Sequence, residues 1–173
     1  LIDAGKSCMA IERALNNLGT SLSSISDIFI THEHSDHTCG LEIISKKYGI
    51  PIINKRVAVT PISMLVGVSG GNPVLYAKTL DKVAHDIGID FIGGYTALVQ
   101  KGFAPGDLEL INSIPQALAH TSRLCSSVNI GSTRAGINLD AVKIMGQKVV
   151  EAAELTKDRE CIGASKLVVF CNS

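Results

Sequence analysis

A chain of 173 residues, 46% of them hydrophobic, has the length and apolar content for a sizeable folded core, a domain commonly taking roughly 100–200 residues. Only 4% of the residues are aromatic and none is Trp, so that core rests on Ile, Leu, Val and Ala. Sixteen basic and 16 acidic residues give a formal net charge of zero, which argues against a general electrostatic footprint for nucleic acid or a membrane surface; the longest apolar run also falls well short of the ~20 residues that span a bilayer.

Taken in chain order, the pattern alternates strands and helices. Strands are predicted at residues 1–4, 27–31, 51–60, 89–92, 124–130 and 166–171. The first helix carries Ile11, Ala14, Leu15 and Leu18 at helical spacing and stops at Gly19, which accepts the left-handed backbone. The second carries Leu41, Ile44 and Tyr48 on one face and stops at Gly49. Asn72 as N-cap and Pro73 at the first helical position open the third, with Leu80, Val83 and Ala84 on its apolar face. A helix over 107–119 is expected to break and restart at Pro115. The last starts near Asn138 and runs through Val142, Met145, Val149 and Ala153. Short apolar strands alternating with helices predict an α/β fold with a mainly parallel sheet. Gly93, Gly94 and Gly102 read as turn glycines, with close approach to a ligand as the other reading.

Leu1-Ile2-Asp3-Ala4-Gly5 lacks the basic start and long apolar region of a signal peptide. The five cysteines (Cys8, Cys39, Cys125, Cys161 and Cys171) are odd in number and contain no CxxC pair. They read as reduced thiols in a cytoplasmic protein. The chain opens inside one apolar strand pattern and stops just after another, so both ends are expected to be truncated.

Chemistry concentrates in Thr31-His32-Glu33-His34-Ser35-Asp36-His37. Three imidazoles and a carboxylate follow the apolar stretch Ile28-Phe29-Ile30, at a strand's carboxyl end, and precede a helix. Both groups suit zinc, and close spacing on a loop lets alternate side chains reach two neighbouring metals. Residues 1–53, with Leu1–Gly5 and Thr31–His37 followed by Gly40-Leu41, resemble the amino-terminal half of a metallo-β-lactamase-fold hydrolase, nearest to the single-strand DNA exonuclease branch. The resemblance implies a centre of two zinc or other divalent ions. It places His32 and His34 on one metal and Asp36 and His37 on the second. Asp36 is marked as catalytic as well, and Asp3 as a supporting acid. A metal-bound water would be the nucleophile. The family's later His ligands and bridging Asp have no counterpart: His85 and His120 stand outside its motifs, and neither is expected to complete the site.

From about Gly49 the sequence resembles a different family. Residues 54–63, 90–102, 125–129, 135–142 and 167–172 are similar to a prokaryotic family of unknown function whose fold is like the pyruvate formate-lyase and ribonucleotide reductase barrel. The likeness covers residues 50–173. It carries no glycyl-radical motif and transfers no radical chemistry. Cys125, Asn129 and Cys171 are the ligand-binding candidates here, because α/β proteins place sites at strand ends; Ser126 and Ser127 lie between the first two. Lys47-Tyr48-Gly49-Ile50-Pro51 reads in both families as helix end, glycine stop and strand start. A join there, natural or artefactual, leaves local geometry undisturbed.

The composite expectation is a partial metallo-β-lactamase-type segment at residues 1–50 joined to a partial α/β barrel at 51–173. Its main functional reading is a remnant of a metal-dependent hydrolase of phosphodiesterase or nuclease type, inactive unless the metal site is completed. The alternative is an uncharacterised α/β barrel protein that binds a small molecule or serves in assembly without metal chemistry. No membrane is expected. Nucleic acid enters as a partner only if the exonuclease-like resemblance carries over, and a homo-oligomer is compatible with the sequence.

Overall fold

The computed structural model describes residues 1–31 and 34–172. It divides into two compact units, Leu1–Ile53 and Asn54–Ser173. Among the described residues no helix is long and apolar enough to cross a membrane.

In the first unit, helix α1 spans Cys8–Asn17, with the Ser7 hydroxyl accepting from the Ala10 N–H at 3.4 Å as N-cap. A short α2 covers Ser35–Thr38 and α3 covers Leu41–Tyr48, ending at Gly49 with φ 68°. Gly19 likewise takes a left-handed φ of 73° after α1. Both stops are as the sequence predicts. Ala4, Cys8, Leu22, Ile44 and Ile50 form the core, with Ile11, Leu15, Leu41 and Tyr48 against it. Ala14 and Leu18, expected on the apolar face of α1, are exposed instead. The two predicted strands at residues 1–4 and 27–31 shrink to a single parallel bridge, Ile2 with Phe29. Two backbone bonds support it: Asp3 N–H to Phe29 O at 2.8 Å and Phe29 N–H to Leu1 O at 2.9 Å.

The second unit holds an open, mainly parallel sheet. Its strands are β1 (Arg56–Ala58), β2 (Phe91–Leu98), β3 (Leu124–Ser132), β4 (Gly136–Ile137) and β5 (Leu167–Asn172). β1–β2, β2–β3 and β3–β5 are parallel, while β4 folds back antiparallel on the end of β3. The expected α/β fold with a mainly parallel sheet is therefore present, but the sheet does not close into a barrel. Helices α4 (Ile62–Ser69), α5 (Pro73–Asp86), α6 (Asp107–Ala119), α7 (Leu139–Leu155) and α8 (Ile162–Ser165) occupy the crossovers. Ile62, Ala77, Ala84, Leu110, Ile114 and Met145 from these helices share one core with Ile92, Tyr95, Ala97, Leu124, Val128 and Leu167 of the sheet.

Local capping worked as the sequence suggests. Asn72 accepts from Val74 N–H at 2.9 Å with Pro73 at the first helical position, and Asn138 accepts from Ala141 N–H at 3.1 Å. Pro115, by contrast, does not break α6. An internal proline costs about 3 kcal/mol, but Leu110, Ile111, Ile114 and Leu118 are all fully buried, at roughly 2 kcal/mol for each large aliphatic. Packing wins. On α7 the buried face is Ala141, Met145 and Ala152, whereas Val142 is exposed; on α5, Val83 is exposed.

The strand predicted at 89–92 is longer than expected. It continues as β2 to Leu98, and Gly93-Gly94 lies inside it rather than in a turn. The register shifts between Ile92 and Tyr95. Gly94 has φ 106°, and a Cβ there would fall 2.5 Å from Val59 Cγ2 and 2.6 Å from Val59 O. The glycine thus serves a bulge pressed against the chain leaving β1. The long strand predicted at 51–60 contracts to Arg56–Ala58.

Candidate functional site

In the first unit the geometry is set by two glycines. A Cβ on Gly5 would fall 1.5 Å from Asp36 O, and one on Gly40 would fall 2.3 Å from Lys6 O. Only glycine lets residues 3–6 lie this close to residues 36–40. Ala4 N–H donates to His37 O and Gly40 N–H to Ala4 O, each at 2.7 Å. Asp3 sits at φ 57°, a left-handed conformation that Asp tolerates better than most residues.

This brings Asp3 under His37. Asp3 Oδ1 accepts from Thr31 N–H at 2.8 Å, and Asp3 Oδ2 lies 2.8 Å from His37 Nδ1. The Thr31 hydroxyl is 3.2 Å from the same ring nitrogen. The Thr31 backbone N–H, and next the His37 ring, hold the Asp3 carboxyl below its ordinary range. Asp36 Oδ2 lies 3.7 Å from His37 Nε2, with 78% of its side chain exposed. His34 stands exposed at the N-cap of α2. His32 lies outside the described residues. Among the described residues no three His, Cys, Asp or Glu side chains gather as a metal ion requires. What is present is a carboxylate–imidazole pair, the arrangement that orients a single His ligand; it does not by itself amount to a two-metal centre.

His85 and His120 belong to the second unit. His85 Nε2 is 2.8 Å from Ser122 Oγ and 3.8 Å from Asp81 Oδ2. His120 Nδ1 is 2.7 Å from Gln116 O. Asp81 Oδ1 accepts from the N–H groups of Ser122, Arg123 and Leu124, which anchors the start of β3.

In that unit strand alternation sorts the candidates. Leu124 and Val128 face the helices, so Cys125, Ser127 and Asn129 share the other face. Register places Thr96 beside Ser127 and Leu98 beside Asn129, and the Thr96 and Ser127 hydroxyls are 2.8 Å apart. Asn129 is buried, and its Oδ1 accepts from Gly131 N–H at 3.2 Å. Burial pushes the Cys125 thiol up, against smaller opposing effects of Lys166 and Arg56; this favours the protonated thiol over a thiolate nucleophile. Along β5, Val168 and Phe170 join the Cys125 face, while Cys171 falls in the row of Leu167 and Val169. A Cβ on Gly131 would lie 2.7 Å from Cys171 Sγ. The structure therefore unites Cys125 and Asn129 and separates Cys171 from them. Thr96 was not singled out from the sequence, because β2 was expected to end at Ile92.

The chain matches the family described as "Uncharacterised ACR (DUF711)" over residues 10–173. It is similar to a UPF0210 protein of Methanocorpusculum labreanum, 57% identical over 133 residues, which is 75% of this chain and 29% of that protein. A UPF0210 protein of Listeria monocytogenes serotype 4b is 58% identical over 133 residues, 76% of this chain and 30% of the relative. One from a Thermoanaerobacter species is 54% identical over 132 residues, 75% and 29% of the two chains. The chain thus spans about three-tenths of the length of the curated relatives it matches. The family match begins at residue 10, not at residue 50 where the sequence suggests a change of family. These matches agree with the uncharacterised-family reading and lend no support to a metallo-β-lactamase resemblance in residues 1–53.

Proposed function

We propose, for a chain that belongs to the DUF711 family of uncharacterised proteins, that its second unit is a binding module for a small polar molecule. One observation carries this reading: Thr96, Cys125, Ser127 and Asn129 form a polar patch across two central strands, on the face that the helices do not use. Hydroxyls and a carboxamide donate and accept in fixed positions, which suits orientation of a polar ligand. Leu98 and Phe170, beside Asn129 in the register, give the patch apolar flanks. Arg56 pairs with Phe91 at the opposite, amino-terminal end of β2, its guanidinium 4.9 Å from the ring centroid. The patch holds no carboxylate or imidazole to act as acid or base, so binding is proposed rather than turnover.

The test is an amide NMR titration of the full chain with a fixed set of sugars, small carboxylates and nucleosides. We expect at least one compound to shift the amides of residues 96–98 and 125–129, and Ser127→Val to abolish that response. Silence with every compound, or shifts confined to other segments, would remove the reading.

A further inference from the structure

We infer that Gln100 sets the specificity of the polar patch, and that the group it selects is an uncharged amide edge, a C=O beside an N–H; this rests on the binding role proposed above. Val99 is fully buried in the core, and its N–H extends the β2–β3 ladder by donating to Asn129 O at 2.9 Å. The alternation of β2 therefore runs past Leu98. Tyr95, Ala97 and Val99 point into the core, and Thr96, Leu98 and Gln100 take the patch face. Both strands of the patch are interior ones: β2 is bonded to β1 and β3, and β3 to β2 and β5.

Most polar groups on this face are met within the chain. The Thr96 and Ser127 hydroxyls bond each other. Asn129 Oδ1 accepts from Gly131 N–H at 3.2 Å, which fixes how that carboxamide is turned and leaves Nδ2 as a donor without a partner among the described residues. Gln100 Oε1 is the complementary case. It is buried, and among the described residues it is the buried side-chain acceptor that has no hydrogen bond. An acceptor left unmet in the interior destabilises the fold, and such defects concentrate where a ligand supplies the missing bond. Register sets Asn129 beside Leu98, so Gln100 stands diagonal to it, with the Cα atoms roughly 8 Å apart. An unmet acceptor and an unmet donor at that spacing match a group that donates to one and accepts from the other. An amide edge does both in one plane. Leu98 and Phe170, which flank Asn129 in the register, offer apolar contact to its flat faces. A carboxylate would instead set oxygen against oxygen at Gln100.

The experiment is an amide NMR titration of the full chain with four probes, read at residues 96–100 and 125–131. Benzamide presents a primary amide, uracil a ring amide, benzoate the matching acid and glucose hydroxyls alone. At least one of the two amides is expected to bind roughly tenfold or more tightly than benzoate and glucose, and the pair separates a primary from a ring amide. Gln100→Met should weaken that amide by a similar factor. In the absence of any probe it should also raise the melting temperature, by roughly 3 °C, because it removes an unmet buried acceptor. Patch shifts in which benzoate or glucose match the amides, or which Gln100→Met leaves unchanged, would overturn this inference while the binding role stands. No patch shift from any probe would remove both. A variant that melts at or below wild type would overturn the inference too, since Gln100 would then be satisfied in the unliganded chain. Should the variant fail to fold, the ranking of the four probes on the wild-type chain decides alone.

Discussion

Asn138 joins two elements with one side chain, and its substitution separates two contributions to stability. Its Oδ1 caps α7 by accepting from Ala141 N–H at 3.1 Å, while its Nδ2 donates to Val99 O at 2.8 Å at the end of β2. Losing an N-cap costs about 1 kcal/mol, and losing a part-buried hydrogen bond about another 1 kcal/mol. Asn138→Ala removes both, for roughly 2 kcal/mol. Asn138→Ser keeps a capping oxygen but cannot reach Val99, for roughly 1 kcal/mol. Asn138→Asp also keeps the cap but sets an acceptor against the Val99 carbonyl, so it should fall at or below Ser. For a unit of this size each kcal/mol moves the melting temperature by about 3–6 °C. Scanning calorimetry should therefore rank wild type above Ser, Ser at or above Asp, and Ser above Ala, with Ala roughly 6–12 °C below wild type. If Ser melted with wild type, the Val99 tie would contribute nothing, and if Ala and Ser melted together, the cap would contribute nothing. If all variants melted within a degree of wild type, the capping account would fail as well.

Tyr95 is fully buried with its hydroxyl 2.6 Å from Ser113 Oγ, and desolvation pushes its pKa up to about 12. The folded state keeps a proton that the unfolded chain releases near pH 10, so this stability is intact below pH 10 and is lost as pH rises through about 12; it amounts to roughly 2–3 kcal/mol. Absorbance titration should show Tyr95 ionising near pH 12 or together with alkaline unfolding, and a Tyr95 signal near pH 10 in the folded chain would contradict the burial. In the first unit, Lys47 and then Tyr48 hold the Glu12 carboxyl below its ordinary range. Its contribution is present above the usual glutamate pKa and lost as pH falls through the lowered one, so Glu12→Gln should flatten the acid limb of that unit's stability; an unchanged limb would refute the tie. Zinc at micromolar concentration should add well under ~1 kcal/mol if only weak sites exist, and His34→Ala should change nothing further. A zinc-dependent rise of many degrees that His34→Ala abolishes would show that His32 and its neighbours complete a site.

What the sequence reveals and conceals follows from the range of each interaction. Asn72-Pro73, Asn138, Gly19 and Gly49 act within a few residues, and each does what its pattern predicts. Gly94 looks like a turn residue until Val59 is brought against it from another part of the chain. Pro115 looks like a break until the apolar face of α6 is buried. The Asp3–His37 contact depends on Gly5 and Gly40, which carry no local mark of that duty. Thr96 was hidden by the strand cut short at Ile92. Cys171 looked equivalent to Cys125 because strand ends are legible in sequence, whereas which face a residue occupies beyond a register shift is not.

The sheet joins its four parallel strands in the order in which they occur along the chain: β1 to β2, β2 to β3, β3 to β5. No strand must wait for one made much later, as the central strand of a doubly wound sheet does. Each crossover brings a strand and the helices that cover it, so every step adds both hydrogen bonds and a share of the core. Loop closure is then distributed over similar short intervals, which keeps contact order low for a parallel sheet. Such a unit can assemble progressively as it emerges from the ribosome, with each finished edge presenting the template for the next strand.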